Sequence, residues 1–295
     1  MDEILGTGSL FDDRKNQLGE GPVWDERTGR VYWVDILAPA IRWRSLITGQ
    51  VGELPVAQHV GAILPTTSED WIACLADGVY RLELDSGETT ILAAYPHSLP
   101  TLQGKARMRA NDAKVSPRGA VYTGTMPYDT EAHPGSAALY RLGDRDLDTV
   151  FDGVTISNGI AWSPDGRKAY YVDTVTSQVD VCDVDSSGMF VNRRLFATID
   201  PDIGYPDGLA VDSEGYVWVA LWSGHRVQRI TPDGSLAGHV ELPAKQVTSC
   251  TFAGIDLRTL IITTARVDDD DNPAAGATYL LTVDVPGLPT QRASL

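Results

Sequence analysis

Four polar side chains recur at nearly fixed distances ahead of a turn. Asp207, in "YPDGLAVDSEGYVWVAL", lies eight residues before Gly215. Asn158, in "ISNGIAW", lies eight before Gly166, and Asn111, in "RMRANDAK", eight before Gly119. Glu20, in "LGEGPVW", lies nine before Gly29. Alone, each has a bland reading, and the Pro-Asp-Gly around Asp207 reads as an ordinary chain reversal. A turn explains one such position; it does not explain four in register. Glu20 and Asp207 offer carboxylate oxygens and Asn158 an amide oxygen, an oxygen-only set that suits a hard divalent cation. Two carboxylates would neutralise such an ion, and without it they would repel each other or shift their titration. Three protein ligands leave positions open for water or substrate, as a catalytic ion requires. Arg109 lies two residues before Asn111, so strand alternation puts both on one side. Together they offer several donors and an amide acceptor, which fits a polyol or a carboxylic derivative. Asp112 is expected to be structural, bonding nearby backbone at the start of its strand.

Positioning these residues falls to a repeat. Segments that run apolar, polar turn, apolar recur along the chain: "VWDERTGRVYWVD" from Val23, "ILPTTSEDWIACLADG" from Ile63 and "AKVSPRGAVYTGTM" from Ala113. They continue as "IAWSPDGRKAYYVDT" from Ile160, "LAVDSEGYVWVALWSG" from Leu209 and "FAGIDLRTLIITTAR" from Phe252. Aligned on Gly29, Glu69, Gly119, Gly166, Gly215 and Arg258, the units are 40, 50, 47, 49 and 43 residues apart. That period, with hairpin turns inside each unit, predicts an all-β fold: a six-bladed β-propeller spanning residues 1–295 as a single domain. "VYWVD", "AYYVD" and "VWVAL" are apolar on both faces, as strands packed between blades must be. Their aromatic residues, Trp33, Tyr171 and Trp218 among them, read as packing. The segment around Ser9 to Asp13 is expected to lend a strand to the last blade and close the ring. Equivalent positions in such a ring stand at one height. Four polar side chains, each ahead of a channel-lining strand, then converge on one axial pocket with a central metal site.

Composition narrows the function classes. Lysine and arginine number 24 against 40 aspartates and glutamates, a net charge of −16, and no basic stripe is visible. Nucleic acid and anionic membrane are therefore not expected partners. The start, "MDEILGTGSLFDDRKNQ", is acidic where a signal peptide is basic, and no apolar run approaches a membrane span, so a cytoplasmic location is expected. Cys74, Cys182 and Cys250 are scattered and odd in number, which argues for small apolar strand residues and not for a disulfide framework or zinc site. The five histidines, at 59, 97, 133, 225 and 239, show no zinc spacing and no shared register, so surface or packing roles are expected. The "DDDD" run from Asp268 lacks the spaced ligands of a calcium loop and reads as a solvated loop. No Gly-x-Ser-x-Gly elbow supports an acyl-serine route. Nothing specifies an oligomeric state.

The words "LGEGPVW", "RANDAKVSPRG", "GTM", "SNGIAWSPDG" and "YPDGLAVDSEGYVWVALW" resemble the senescence marker protein, gluconolactonase and luciferin-regenerating enzyme family. The resemblance runs in order through nearly the whole chain. It implies a six-bladed propeller with one divalent metal ion (Ca, Zn, Mn, Mg or Fe) in its channel. By resemblance, Glu20, Asn158 and Asp207 match the metal ligands, and Arg109 and Asn111 the substrate-contacting pair. The family's usual glycine after "ND" is Ala113 here, and the loop "PYDTEAHPGSAALY" departs from its counterparts and is the expected place for substrate selection. The implied reaction is hydrolysis of a sugar-acid lactone, such as glucono-, xylono- or arabinonolactone, to the aldonic acid. Asp207 is the candidate general base; alternatively it only orients the attacking water. Two rival readings use the same fold: a metal-dependent phosphotriesterase-like hydrolase, and a non-catalytic calcium-binding propeller.

Overall fold

Runs rich in Val, Ile, Tyr and Trp with turn signals between them form short strands throughout. In the computed structural model, which describes residues 3–96 and 107–294, these strands make six sheets around one axis. Each blade is a meander whose first strand lies innermost. The inner strands are Gly19–Asp25, Val60–Pro65, Met108–Val115, Ser157–Trp162, Tyr205–Val211 and Gln246–Ala253. The hairpins that follow turn tightly, and Gly166 at φ 66° and Gly215 at φ 84° supply the left-handed residue a side chain would resist. In the last blade Gly254 and Leu257 take the left-handed positions, so Arg258 follows the turn and does not make it.

Ser9–Asp12 pairs antiparallel with Thr278–Thr282 as the outer strand of the sixth blade, closing the ring as expected. The residues just before it add a feature the sequence did not announce. Ile4–Thr7 lies parallel to Leu236–Glu241 as a fifth strand on the neighbouring blade. One short N-terminal stretch therefore ties two blades together and covers two edges.

The core fills the space between blades. Ala210, Trp218 and Val227 of the fifth blade meet Cys250, Ile262 and Tyr279 of the sixth. Trp33, Tyr171 and Trp218 are buried, and each still satisfies its polar tip. Trp33 Nε1 donates to Asn16 Oδ1 at 3.0 Å, Tyr171 Oη to Ser157 Oγ at 2.8 Å, and Trp218 Nε1 to Asp212 Oδ2 at 3.0 Å. The three cysteines are free and buried within strands. Among the described residues no helix is long and apolar enough to cross a membrane.

One irregularity is repeated in every blade. Each inner strand gains a residue relative to its partner: between Glu20 and Val23, Val60 and Ala62, and Ala110 and Ala113. The same happens between Ser157 and Ile160, Pro206 and Leu209, and Val247 and Ser249. A bulge re-aims the side chains it carries. Asn111, Asn158 and Asp207 all sit inside these bulges, and Glu20 stands one position earlier, at the edge of its own. That offset is the physical form of the nine-residue spacing to Gly29. Pro-Asp-Gly at 206–208 is thus part of a strand and not a chain reversal. Neighbouring bulges approach closely: a Cβ on Gly159 would stand 2.5 Å from the Asp207 carbonyl oxygen.

Candidate metal centre

The loops that feed the inner strands are held by buried aspartates. Asp35 ends "VYWVD" and accepts the backbone N–H groups of Gln17 at 2.8 Å and Leu18 at 3.0 Å. Asp173 ends "AYYVD" and accepts those of Thr155 at 3.1 Å and Ile156 at 3.0 Å. Both carboxylates fix the entry to a strand that carries a candidate ligand, Glu20 in one blade and Asn158 in the other.

Glu20, Arg109, Asn111, Asn158 and Asp207 are each no more than 7% exposed. Thr174 orients Asn158. Its hydroxyl donates to the Pro206 carbonyl at 2.9 Å, which leaves it only acceptor capacity toward Asn158, also at 2.9 Å. The asparagine must therefore present its NH₂ to Thr174, and its Oδ1 is turned away. That Oδ1 is buried without a partner, and so is Asp207 Oδ1. Asn111 is arranged differently. Its Oδ1 accepts from Arg109 Nη1 at 2.8 Å and its Nδ2 donates to the Ser157 carbonyl at 3.1 Å. Its amide oxygen already has a donor. The two asparagines of the repeat are thus separated by chemistry: one offers a bare oxygen, the other is bound to a guanidinium.

Charge is unbalanced here. Burial, then the nearby Asp112 charge, pushes the Glu20 carboxyl up to about 8, against the pull of the Gly21 N–H and Arg109. Burial, then Glu20 and Asp112, raises Asp207 well above the carboxylate range, and Asn158 and Arg109 only partly offset this. Asp112 is itself raised by burial, although the Ala113 N–H donates to its Oδ1 at 2.7 Å. Arg109 is lowered by burial to about 10 and keeps its charge at neutral pH. Three buried carboxylates face one buried guanidinium and, farther off, the half-buried Lys114 ammonium. Glu20 and Asp207 stay raised all the same, so the site is short of positive charge. Unpaired buried oxygens together with that deficit fit a divalent cation held by Glu20, Asn158 and Asp207. Among the described residues no three His, Cys, Asp or Glu side chains form a ready cluster; the candidate set differs from such a cluster in having an amide oxygen, Asn158 Oδ1, as its third member.

Two consequences are measurable. In the metal-free protein the fold favours protonated Glu20, whose carboxyl moves from 4.5 to about 8. Between these values the native state binds more protons than the unfolded chain, so stability is greatest below about pH 4.5 for this group and falls as pH rises toward 8. Thermal unfolding with a chelator should show Tm declining over that window, and saturating cation should flatten or reverse the decline. A Tm independent of pH in the chelated protein would remove the charge deficit. The second concerns Thr174, which orients the candidate ligand Asn158 through hydrogen bonds alone. Thr174→Val should weaken the cation about 10- to 100-fold at unchanged fold, as loss of an orienting partner does elsewhere; calorimetric titration with calcium reads it.

Beside Arg109 stand His59 and Tyr128, the latter not singled out by the sequence. Tyr128 Oη and His59 Nδ1 are 2.8 Å apart, and the Arg107 guanidinium lies 4.6 Å over the Tyr128 ring. Burial, then Arg109 and Arg107, lowers the His59 imidazole. His59, expected to have a surface or packing role, is half-buried against the Tyr128 ring and within electrostatic reach of Arg109. Tyr128 opens the loop expected to select substrate. His97 lies outside the described residues. The "DDDD" run forms a turn in which Asp270 pairs with Arg266 at 3.1 Å.

Fold and site together define an all-β six-bladed propeller with buried polar side chains gathered on its inner strands. Its description narrows further. The SMP-30/gluconolactonase/LRE-like family matches over residues 18–266, and the chain belongs to that family. Zebrafish (Danio rerio) regucalcin is 36% identical over 285 residues, covering 93% of this chain and 94% of the relative. A regucalcin from Agrobacterium tumefaciens, described as a calcium-binding protein, superposes with a TM-score of 0.92 at 28% identity and full coverage of both chains. A luciferin-regenerating enzyme superposes with a TM-score of 0.87 at 29% identity, covering 98% of this chain and 100% of its own.

Proposed function

We propose that the protein is a divalent-metal-dependent lactonase that opens a five- or six-membered sugar-acid lactone to the aldonic acid. The observation that carries this is the pair of bare buried oxygens, Asn158 Oδ1 and Asp207 Oδ1, among buried carboxylates that outnumber the cations near them. Glu20, Asn158 and Asp207 would hold the cation. When bound, it supplies a Lewis acid for the lactone carbonyl and lets both carboxylates stay ionised. Arg109, charged and buried, donates to the substrate's carbonyl or hydroxyl oxygens. Asn111 is held by Arg109 and Ser157 and presents its amide edge beside them. Water adds to the carbonyl carbon, the ring C–O bond breaks, and the ring oxygen leaves as a hydroxyl. Asp207 takes the proton that the attacking water gives up, and a proton passes to the departing oxygen.

Membership of the family supports a lactonase, and the polar mouth of Arg109, Asn111, Tyr128 and His59 suits a hydroxylated substrate. Calcium is one cation the site would take, given that the Agrobacterium relative is described as calcium-binding. A purely calcium-binding role gives no task to a buried Arg109–Asn111 pair at the mouth. A panel of pentono- and hexonolactones, beside a phosphotriester, tests the reading with metal-loaded protein and pH-stat detection. Saturable acceleration of at least one lactone over buffer is expected. Cleavage of the phosphotriester with no lactone accelerated would transfer the assignment to the phosphoester-cleaving alternative.

A further inference from the structure

A cavity lies on the other side of the inner-strand bulges from the candidate metal ligands. Every inner strand contributes residues that follow its bulge, among them Leu64, Lys114, Ala161, Ala210 and Phe252, and the chain's end, Leu288–Gln291, forms the floor. That end is strapped across the ring. Ser213 N–H donates to Pro286 O at 2.8 Å, Ala293 N–H to Pro65 O at 2.9 Å and Ser294 N–H to Gly119 O at 3.0 Å. Arg292 pairs with Asp25 at 3.1 Å. Pro117 and Pro289 are exposed, so the cavity has a rim on solvent.

Its walls are mostly apolar, with Thr251, Thr290 and Gln291 as uncharged polar residues. Lys114 is the single charged residue lining the space. It follows its bulge by one residue, where the next two blades place Ala161 and Ala210. It is half-buried, and among the described residues it makes no hydrogen bond and no ion pair. A second donor lacks a partner nearby: Trp162 also lines the cavity, is 5% exposed, and has an unbonded indole N–H. Glu20 and Asp112 act on this ammonium only from a distance, and neither accepts a hydrogen bond from it. A half-buried ammonium with no hydrogen-bonded acceptor, set beside apolar walls, favours an anion that brings its own apolar body.

We propose that this cavity binds a small amphipathic carboxylate, its head on the Lys114 ammonium and its tail among Leu64, Val211, Phe252 and Leu288. The space, about 110 Å³, holds on the order of eight waters, the size of an acid of roughly ten non-hydrogen atoms. Neither the ion nor Arg109 takes part, so this site stands whether or not the lactonase reading does.

Octanoate and octanol, titrated calorimetrically into full-length protein with calcium and again with chelator, test the proposal. Octanoate should bind one equivalent in both states, at least tenfold tighter than octanol. Lys114→Met should weaken octanoate at least tenfold and leave octanol unchanged. Ala210→Leu, which narrows the cavity, should weaken both, with circular dichroism reporting the fold. The proposal is overturned by octanoate affinity indifferent to Lys114→Met, by binding that needs calcium, or by no binding at millimolar octanoate.

Discussion

Glu20→Gln should lose the cation and the activity together while making the metal-free protein more stable at pH 8. The two effects have one cause. Glu20 is buried beside Asp112 and is held up to about 8, so above that value the fold must keep an ionised carboxylate against burial and repulsion. Glutamine keeps the shape and removes the charge, which relieves the metal-free fold and lowers the upward pressure on Asp207. The same change takes away one of the two carboxylates that would neutralise a divalent ion. Loss of an orienting neighbour costs about 10- to 100-fold in affinity, and loss of a ligand should exceed that range. Metal content after dialysis, lactone turnover and Tm with chelator at pH 8 form the test. A variant that keeps full metal content and turnover would remove Glu20 from the site; a lower metal-free Tm would remove the repulsion.

Arg109→Met should retain the ion and lose turnover by about 10²- to 10³-fold in kcat/KM, the cost of a single donor aimed at developing charge. The guanidinium is buried, still charged, and bonded to Asn111 Oδ1, so it is preorganised beside the candidate ion without being a ligand. Methionine removes the charge at similar bulk and frees Asn111. Asn111→Ala should act in the same direction. If Arg109→Met came out metal-free with lactone affinity intact, the division between ligands and substrate contacts would be wrong.

Much of this architecture is legible in the sequence because a propeller repeats itself. Strands apolar on both faces and a 40- to 50-residue period give six blades, and Ser9–Asp12 reads as the closing strand from its place ahead of the first repeat. Ile4–Thr7 does not, because its partner Leu236–Glu241 is over two hundred residues away and four residues carry little pattern. The recurring bulge is equally hidden, since it exists only in the register between two strands. Without it Asp207 resembles a turn residue and Glu20 an outlier by one. The neighbourhood of His59 is hidden for a related reason. Its blade carries Gly61 at the bulge, so no polar side chain marks that unit, and the histidine gains its neighbourhood through Tyr128, 69 residues on. Thr174 closes the segment "IAWSPDGRKAYYVDT" without standing out in it; its importance lies in the Pro206 carbonyl that fixes its proton. The cavity beyond the bulges depends on the non-repeating end of the chain, which periodicity says nothing about.

The central claim is that one cation, held by Glu20, Asn158 and Asp207, turns this pocket into a lactonase. Titrating chelated protein with a divalent cation while following proton release from a lactone tests it most directly, with a buffer blank because such lactones also open spontaneously. The rate should rise linearly from the blank and level off at one equivalent of cation. Full acceleration in the chelated protein, or a bound equivalent that leaves every lactone at the blank rate, would contradict the account.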